Sequence, residues 1–168
     1  QLWAALDEKV SRIYLDYRLL DKKILDRLRR SVVQLFIASP YVVRAKDILY
    51  LKKIKAALSS GVFDGVLVRN LESYHFFTSQ DIYGKNCLNK KCIPEKIVLD
   101  ANFYLWNRES VNFWKNQADE FYLPLELNGH EWQKLLGITG GKTFTASAVV
   151  YGRLPVMITA NCLKKTMG

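Results

Sequence analysis

Polar residues with chemical capability recur in this chain directly after short apolar runs. Asp16 closes residues 12–15, and Arg69 with Asn70 closes residues 65–68. Asp100 and Asn102 follow residues 97–99, Glu126 and Asn128 follow residues 121–125, and Tyr151 with Arg153 follows residues 143–150. Asp100 and Glu126 would form a carboxylate pair for acid–base work, or would serve equally well as ion-pair partners of Arg69 or Arg153. Arg69, Asp100, Glu126 and Tyr151 are the expected catalytic set, and Asn70, Asn102, Asn128 and Arg153 the expected substrate-binding set. Helix capping accounts for each of the three asparagines taken singly. It does not account for Arg69 or Glu126, which are not N-cap residue types.

The nucleophiles and metal ligands are sparse. There is no HExxH, and the two histidines are His75, within an aromatic run and expected to pack, and His130, expected in the exposed first turn of a helix. Gly140-Gly141-Lys142-Thr143 is too short for a phosphate loop and precedes a strand pattern, and no GxGxxG follows the first strand. Cys87-x4-Cys92 is too loose for a zinc knuckle, with no second pair to complete the ligands. Cys162 ends the stretch AVVYGRLPVMITANC (148–162), in which Gly152 can take positive φ and Pro155 cannot donate to a ladder. A thiolate there would serve as one iron–sulphur ligand with companions beyond Gly168. The plainer reading is a buried free thiol closing a hairpin.

These residues need elements to position them. Helical spacing is expected over residues 2–10, 20–30, 46–58, 71–77, 110–116 and 130–136, with strands over 12–17, 32–39, 65–68, 97–100, 121–125 and 143–150. Gly61 is a candidate C-cap. Residues 83–96 are expected to form a polar, basic loop. Strand and helix alternate with short connections, which predicts an α/β fold with a parallel sheet. In a (β/α) barrel the polar positions named above all fall on the C-terminal rim, where such proteins place their chemistry. A complete barrel needs about 250 residues, and this chain has 168. The expectation is one domain over 1–168: an incomplete TIM-like barrel of roughly six β/α units, its open edges shielded by a partner copy, a swapped element or a rearranged terminus.

Composition narrows the function class. The chain is 49% apolar, yet has no run of about 18 apolar residues for a membrane span and no signal-peptide pattern. The formal charge of +9 points to a polyanion such as RNA. Tyr83, Tyr104, Trp106, Trp114 and Trp132 interleave with basic residues, a pattern suited to stacking unpaired bases, although core positions explain most of them. Three cysteines do not make a secreted disulfide scaffold, so the protein reads as cytoplasmic. A start at Gln1 and an end at Gly168 just past a basic run read as a piece excised from a longer protein.

The motifs VLVRN (66–70), LDANFYLWN (99–107), LELN (125–128) and VVYGRLPVMITANC (149–162) occur in an order and spacing that resemble the peptidase U32 family of collagenase-like proteases, across roughly residues 33–168. The resemblance implies a TIM-like barrel and a hydrolase name. It equally implies RNA or ubiquinone hydroxylation, because several members are hydroxylation factors that hold a [4Fe–4S] cluster through four cysteines. Carried over, Cys162 matches one cluster cysteine, while the cysteine often found seven residues earlier is Pro155 here. The other ligands would lie beyond Gly168, so the fragment is expected to hold no cofactor and to be inactive alone. Cys87 and Cys92 match no family cysteine. The preferred expectation is a parent that is an iron–sulphur-dependent RNA base hydroxylation factor. The alternatives are a true collagenase-like peptidase with a peptide substrate, and a non-catalytic RNA-binding or assembly scaffold. A homo-oligomer through the open edges and no membrane partner complete the expectation.

Overall fold

A computed structural model describes residues 2–8, 10–28, 33–79, 94–138, 144–152, 155 and 157–159. Tyr83, Cys87, Cys92, the Gly140–Thr143 stretch, Arg153 and Cys162 lie outside the described residues. Six strands run parallel in sequence order: β1 (Arg12–Asp16), β2 (Gln34–Ala38), β3 (Gly65–Val68), β4 (Lys96–Leu99), β5 (Glu120–Tyr122) and β6 (Thr145–Ser147). Helices α1 (Leu2–Asp7), α2 (Lys22–Leu28), α3 (Ile48–Ser59), α4 (Leu71–Thr78), α5 (Arg108–Trp114) and α6 (Gly129–Ile138) alternate with them. The result is an incomplete TIM-like barrel, a sheet curled into a half-barrel. Among the described residues no helix is long and apolar enough to cross a membrane.

Helices cover the outer face of the sheet, and side chains of the strands themselves fill the base of the inner one. All four residues of β3 are buried, so that strand reads as a continuous apolar run. The outer face (Ile13, Leu15, Leu35, Ile37, Val66, Val68, Ile97, Leu99, Phe121) packs on Leu51, Ile54, Phe76, Phe77, Val111, Trp114 and Leu135 of the helices. The inner face holds a smaller cluster of Phe36, Ala38, Leu67 and Val98 against Tyr14 and Tyr122.

Inside the curl, near the strand starts, sits a polar layer. Arg12 Nη1 donates to Glu120 Oε2 at 2.6 Å, joining β1 to β5 across the lumen. Ser147 Oγ donates to Glu120 Oε1 (2.6 Å), and Arg12 Nη1 and Nε reach Tyr14 Oη (2.9 Å) and Gln34 Oε1 (3.1 Å). The Arg12 guanidinium also lies 4.6 Å from the centroid of the Phe36 ring. Gly65 faces this layer, and a Cβ on it would stand 2.4 Å from Lys96 O and 2.6 Å from Phe36 Cε1.

Several local expectations are corrected. The last strand ends at Ser147, where its pairing with β5 ends at Tyr122, and Val150 is almost wholly exposed. Met157 of the second apolar run is exposed as well. His75 points outward from α4 and does not pack, since Phe76 and Phe77 take that helix's buried face. Gly61 follows α3 at φ +71 and its N–H reaches Leu58 O (3.1 Å), as expected of a C-cap.

Candidate functional site at the carboxyl mouth

Because all six strands are parallel, their carboxyl ends share one rim, and short polar side chains there tie each strand to the next element. Asp16, last in β1, accepts from Arg18 N (3.0 Å), Nε (2.8 Å) and Nη2 (3.0 Å). Burial works to raise the Asp16 pKa, but the hydrogen bonds and charge of Arg18 outweigh it and hold the carboxyl below its ordinary value. Asn70 Oδ1 accepts from Ser73 N (2.7 Å), capping α4, while its Nδ2 donates to Pro40 O (2.8 Å) and Tyr41 O (3.1 Å). Asn128 Oδ1 accepts from His130 N (3.0 Å) and Glu131 N (3.1 Å), and Glu131 answers by accepting from Asn128 N (2.9 Å), a capping box for α6. Asp100 Oδ1 accepts from both Asn102 N (3.1 Å) and Asn102 Nδ2. That short turn ends on Tyr104 in the left-handed region (φ +51), which turns its ring out to solvent.

Within this rim lies a cavity of about 370 Å³. Tyr14, Tyr41, Tyr104, Tyr122 and Tyr151 contribute rings to its wall, and Asp100, Asn102 and Glu126 supply its polar groups. Leu67 and Leu125 add apolar surface, and Gly152 (φ +148) and Pro155 form part of the outer lip. Tyr14 and Tyr122 meet edge to face at 6.0 Å. Burial, helped by a hydrogen bond with Tyr14, raises the Tyr122 pKa well above the ordinary phenol value, so its hydroxyl keeps its proton at neutral pH.

The expected site residues separate into groups. Asp100, Asn102, Glu126 and Tyr151 line one cavity. Arg69 stands behind its wall: Nη1 donates to Ser39 O (3.1 Å), Nε lies 3.6 Å from Asp100 Oδ2, and the guanidinium is 4.0 Å from the Tyr41 ring centroid. Ser39 Oγ accepts from Arg69 N (3.1 Å), which fixes the start of the loop. The Arg69 Nε is buried and makes no hydrogen bond. Arg69 thereby positions two lining residues, Asp100 and Tyr41. Asn70 and Asn128 sit outside the lining as helix caps. Arg153 and Cys162 fall outside the described residues.

Sequence reasoning missed Tyr14, Tyr41 and Tyr122. A signal for two of them existed. In β1 the inward set is Arg12, Tyr14, Asp16 and the outward set Ile13, Leu15, an alternation that marks a lumen lined by polar and aromatic groups. Glu120 and Tyr122 repeat it on β5. The cavity as a whole offers aromatic faces, hydroxyls, an amide and two carboxylates. It suits a flat ligand whose edge carries N–H donors. No protein-family model, curated protein or solved structure matches the chain.

Proposed function

We propose that this chain is the barrel portion of a U32-type protein whose mouth receives an unpaired RNA base, and that its parent is an RNA base hydroxylation factor. The observation that carries this reading is the tyrosine-walled cavity with Asp100, Asn102 and Glu126 on its polar side. A volume of about 370 Å³ is near the small end of ligand pockets and matches one planar group better than an extended chain. Unpaired bases are recognised by stacking on aromatic rings and by hydrogen bonds along their edges. The formal charge of +9 supplies attraction for the phosphate backbone.

The resemblance also implies an iron–sulphur cluster, whose ligands would be cysteines. Cys87, Cys92 and Cys162 lie outside the described residues, and Pro155 occupies the position where the family pattern often has a cysteine, so no step here is routed through a cluster. Within the mouth, Asp100 and Glu126 accept from the base edge, Arg69 holds Asp100 in place, and Tyr104 and Tyr151 close over the ring from the solvent side.

Fluorescence anisotropy with single-stranded and duplex RNA tests the reading. Single strands should bind more tightly, and Tyr104→Ala should weaken them by roughly tenfold, the effect of losing one stacking face. Equal affinity for duplex, or a Tyr104→Ala variant that binds like the wild type, would refute it. Nucleosides from cells lacking the parent should be missing one hydroxylated base by mass spectrometry. Peptide hydrolysis is a second reading, favoured by the presence of Asp100 and Glu126 in the same cavity. Release of a fluorogenic peptide, abolished by Asp100→Asn, would select it.

A further inference from the structure

A separate surface, basic and aromatic, lies at the same end of the half-barrel as the mouth. Lys46, Leu49, Tyr50, Lys52, Lys53 and Ala56 line a shallow depression of about 460 Å³ along the first turns of α3. Leu49 is 66% exposed and Tyr50 42%. Between residues 45 and 63 the one acidic side chain is Asp47, and its carboxylate accepts from Arg44 N (3.0 Å) at the helix entry. Lys53 Nζ lies 5.8 Å from the Tyr50 ring centroid, and Tyr17 abuts the same ring edge to face at 5.3 Å. Tyr17 directly follows β1 and α3 follows β2, so the depression opens at the end of the half-barrel that carries the mouth. The loop between β2 and α3 runs from Tyr41, in the mouth, to Lys46, on the depression.

We infer that this surface is a second RNA contact, a ledge where the strand flanking the captured base lays its phosphates against Lys46 and Lys53 and stacks one base on Tyr50. The inference rests on the RNA reading of the mouth. Charge complementarity selects the partner: three lysines line the depression against the single carboxylate of Asp47 in residues 45–63, an excess of positive charge that matches a phosphate backbone. The exposed ring, with its face toward a lysine, is the sequence-tolerant stacking platform of single-strand binders. An anionic membrane surface would need a broad apolar face as well, and among the described residues Leu49 and Tyr50 are the large apolar side chains lining the depression. An acidic peptide would use the lysines and leave the ring unused.

The test is anisotropy with a labelled mixed-sequence RNA of about twelve nucleotides, within the ~4–16 that one small domain covers. Titrations run from about 0.05 to 0.2 M salt, the range over which phosphate contacts show their dependence. Each phosphate contact to a single strand contributes about 0.7 to the slope of log affinity against log salt. Lys46→Ala with Lys53→Ala should therefore flatten the slope by about 1.4, and weaken binding about 25-fold at 0.1 M salt. Tyr50→Leu should weaken binding roughly tenfold with the slope unchanged. All three positions are exposed, so melting should match the wild type. Wild-type affinity and slope in these variants, while Tyr104→Ala still loses binding, would remove the ledge and leave the mouth. Failure of the unaltered protein to bind RNA would remove both. Loss of binding to phosphatidylserine vesicles or to polyglutamate in these variants, with RNA binding intact, would reassign the ledge to a membrane or to an acidic protein.

Discussion

Breaking the ion pair across the lumen should open the half-barrel, and its cost can be worked from the contacts. Arg12 and Glu120 stand 108 residues apart, with side chains 24% and 10% exposed. Arg12→Met keeps an unbranched stem against Phe36 but leaves the Glu120 carboxylate with Ser147 Oγ as its remaining hydrogen-bond donor among the bonds described above. Orphaning one member of a buried pair costs roughly 3–5 kcal/mol; the partial exposure of Arg12 places this one near 3 kcal/mol. Glu120→Gln keeps one oxygen to accept from Arg12 and turns an amide N–H toward Ser147 Oγ, which can accept it, so about 1.5 kcal/mol is expected. Once the carboxylate is neutral, losing the guanidinium should add little beyond its own bonds. The double variant should then cost about 3 kcal/mol, short of the additive sum by about 1.5 kcal/mol. Urea unfolding followed by circular dichroism measures all three, and Arg12→Met should melt about 6–12 °C lower for a chain of this length. Additivity within about 0.5 kcal/mol, or an Arg12→Met cost under about 1 kcal/mol, would refute the idea that this pair holds the curl. Arg12 also donates to Tyr14, which meets Tyr122, so the same variant should slacken the cavity wall and weaken RNA binding.

Gly65→Ala should destabilise by about 1–3 kcal/mol through overpacking, because the added methyl would displace either the β4 backbone at Lys96 or the Phe36 ring; an unchanged melting temperature would count against so close an approach. Asn70→Ala should cost about 2–3 kcal/mol, one cap plus two bonds that tie the β2 loop to α4. Asn102→Ala, with its amide bonded to Asp100 on the cavity side, should cost under about 1 kcal/mol yet weaken RNA binding, and the reverse ranking would overturn these assignments. Burial and the hydrogen bond with Tyr14 raise the Tyr122 pKa in the folded state, so its stabilising contribution is complete below about pH 10, the unfolded phenol value, and is lost as pH rises beyond it. Tyr122→Phe should therefore make the alkaline fall in melting temperature shallower, and an equally steep fall would dismiss burial of this phenol as its cause.

The fold was legible because parallel β/α units announce themselves: apolar runs such as residues 65–68 alternate with helical spacings and short connections. The common rim followed from that, since a polar residue ending each strand of a parallel sheet must share one end. What stayed hidden was the lumen. In β2 and β3 the layers on both sides of the sheet are apolar, so the side chains carry no period that separates inward from outward. Only β1 and β5 keep one, and there it marks Tyr14 and Tyr122. Apolar type misled at residues 148–150, which read as strand although the pairing with β5 ends at Ser147. At His75 the helix phase decided, because two phenylalanines claim the buried side. Capping side chains are ambiguous in a sequence for a physical reason: an asparagine after a strand may hold a helix, a ligand, or both. Asn70 and Asn128 hold helices, whereas Asn102 also faces the cavity.

The two sides of the mouth differ in how firmly they are built, and that difference bears on how a base would enter. On the β2–β4 side, Arg69 is gripped by Ser39, Tyr41 and Asp100 at once, and Asn70 ties the neighbouring loop down. Fixing those groups before a ligand arrives reduces the ordering cost of binding. On the β6 side the strand spans three residues, Tyr151 is 97% exposed, and Gly152 follows it at positive φ. A wall pre-set on one side and extended into solvent on the other suits a ligand that is a single unit of a longer strand. On the RNA reading, the rigid face would select the base edge while the outer tyrosines admit the connected backbone, which Lys46 and Lys53 would receive.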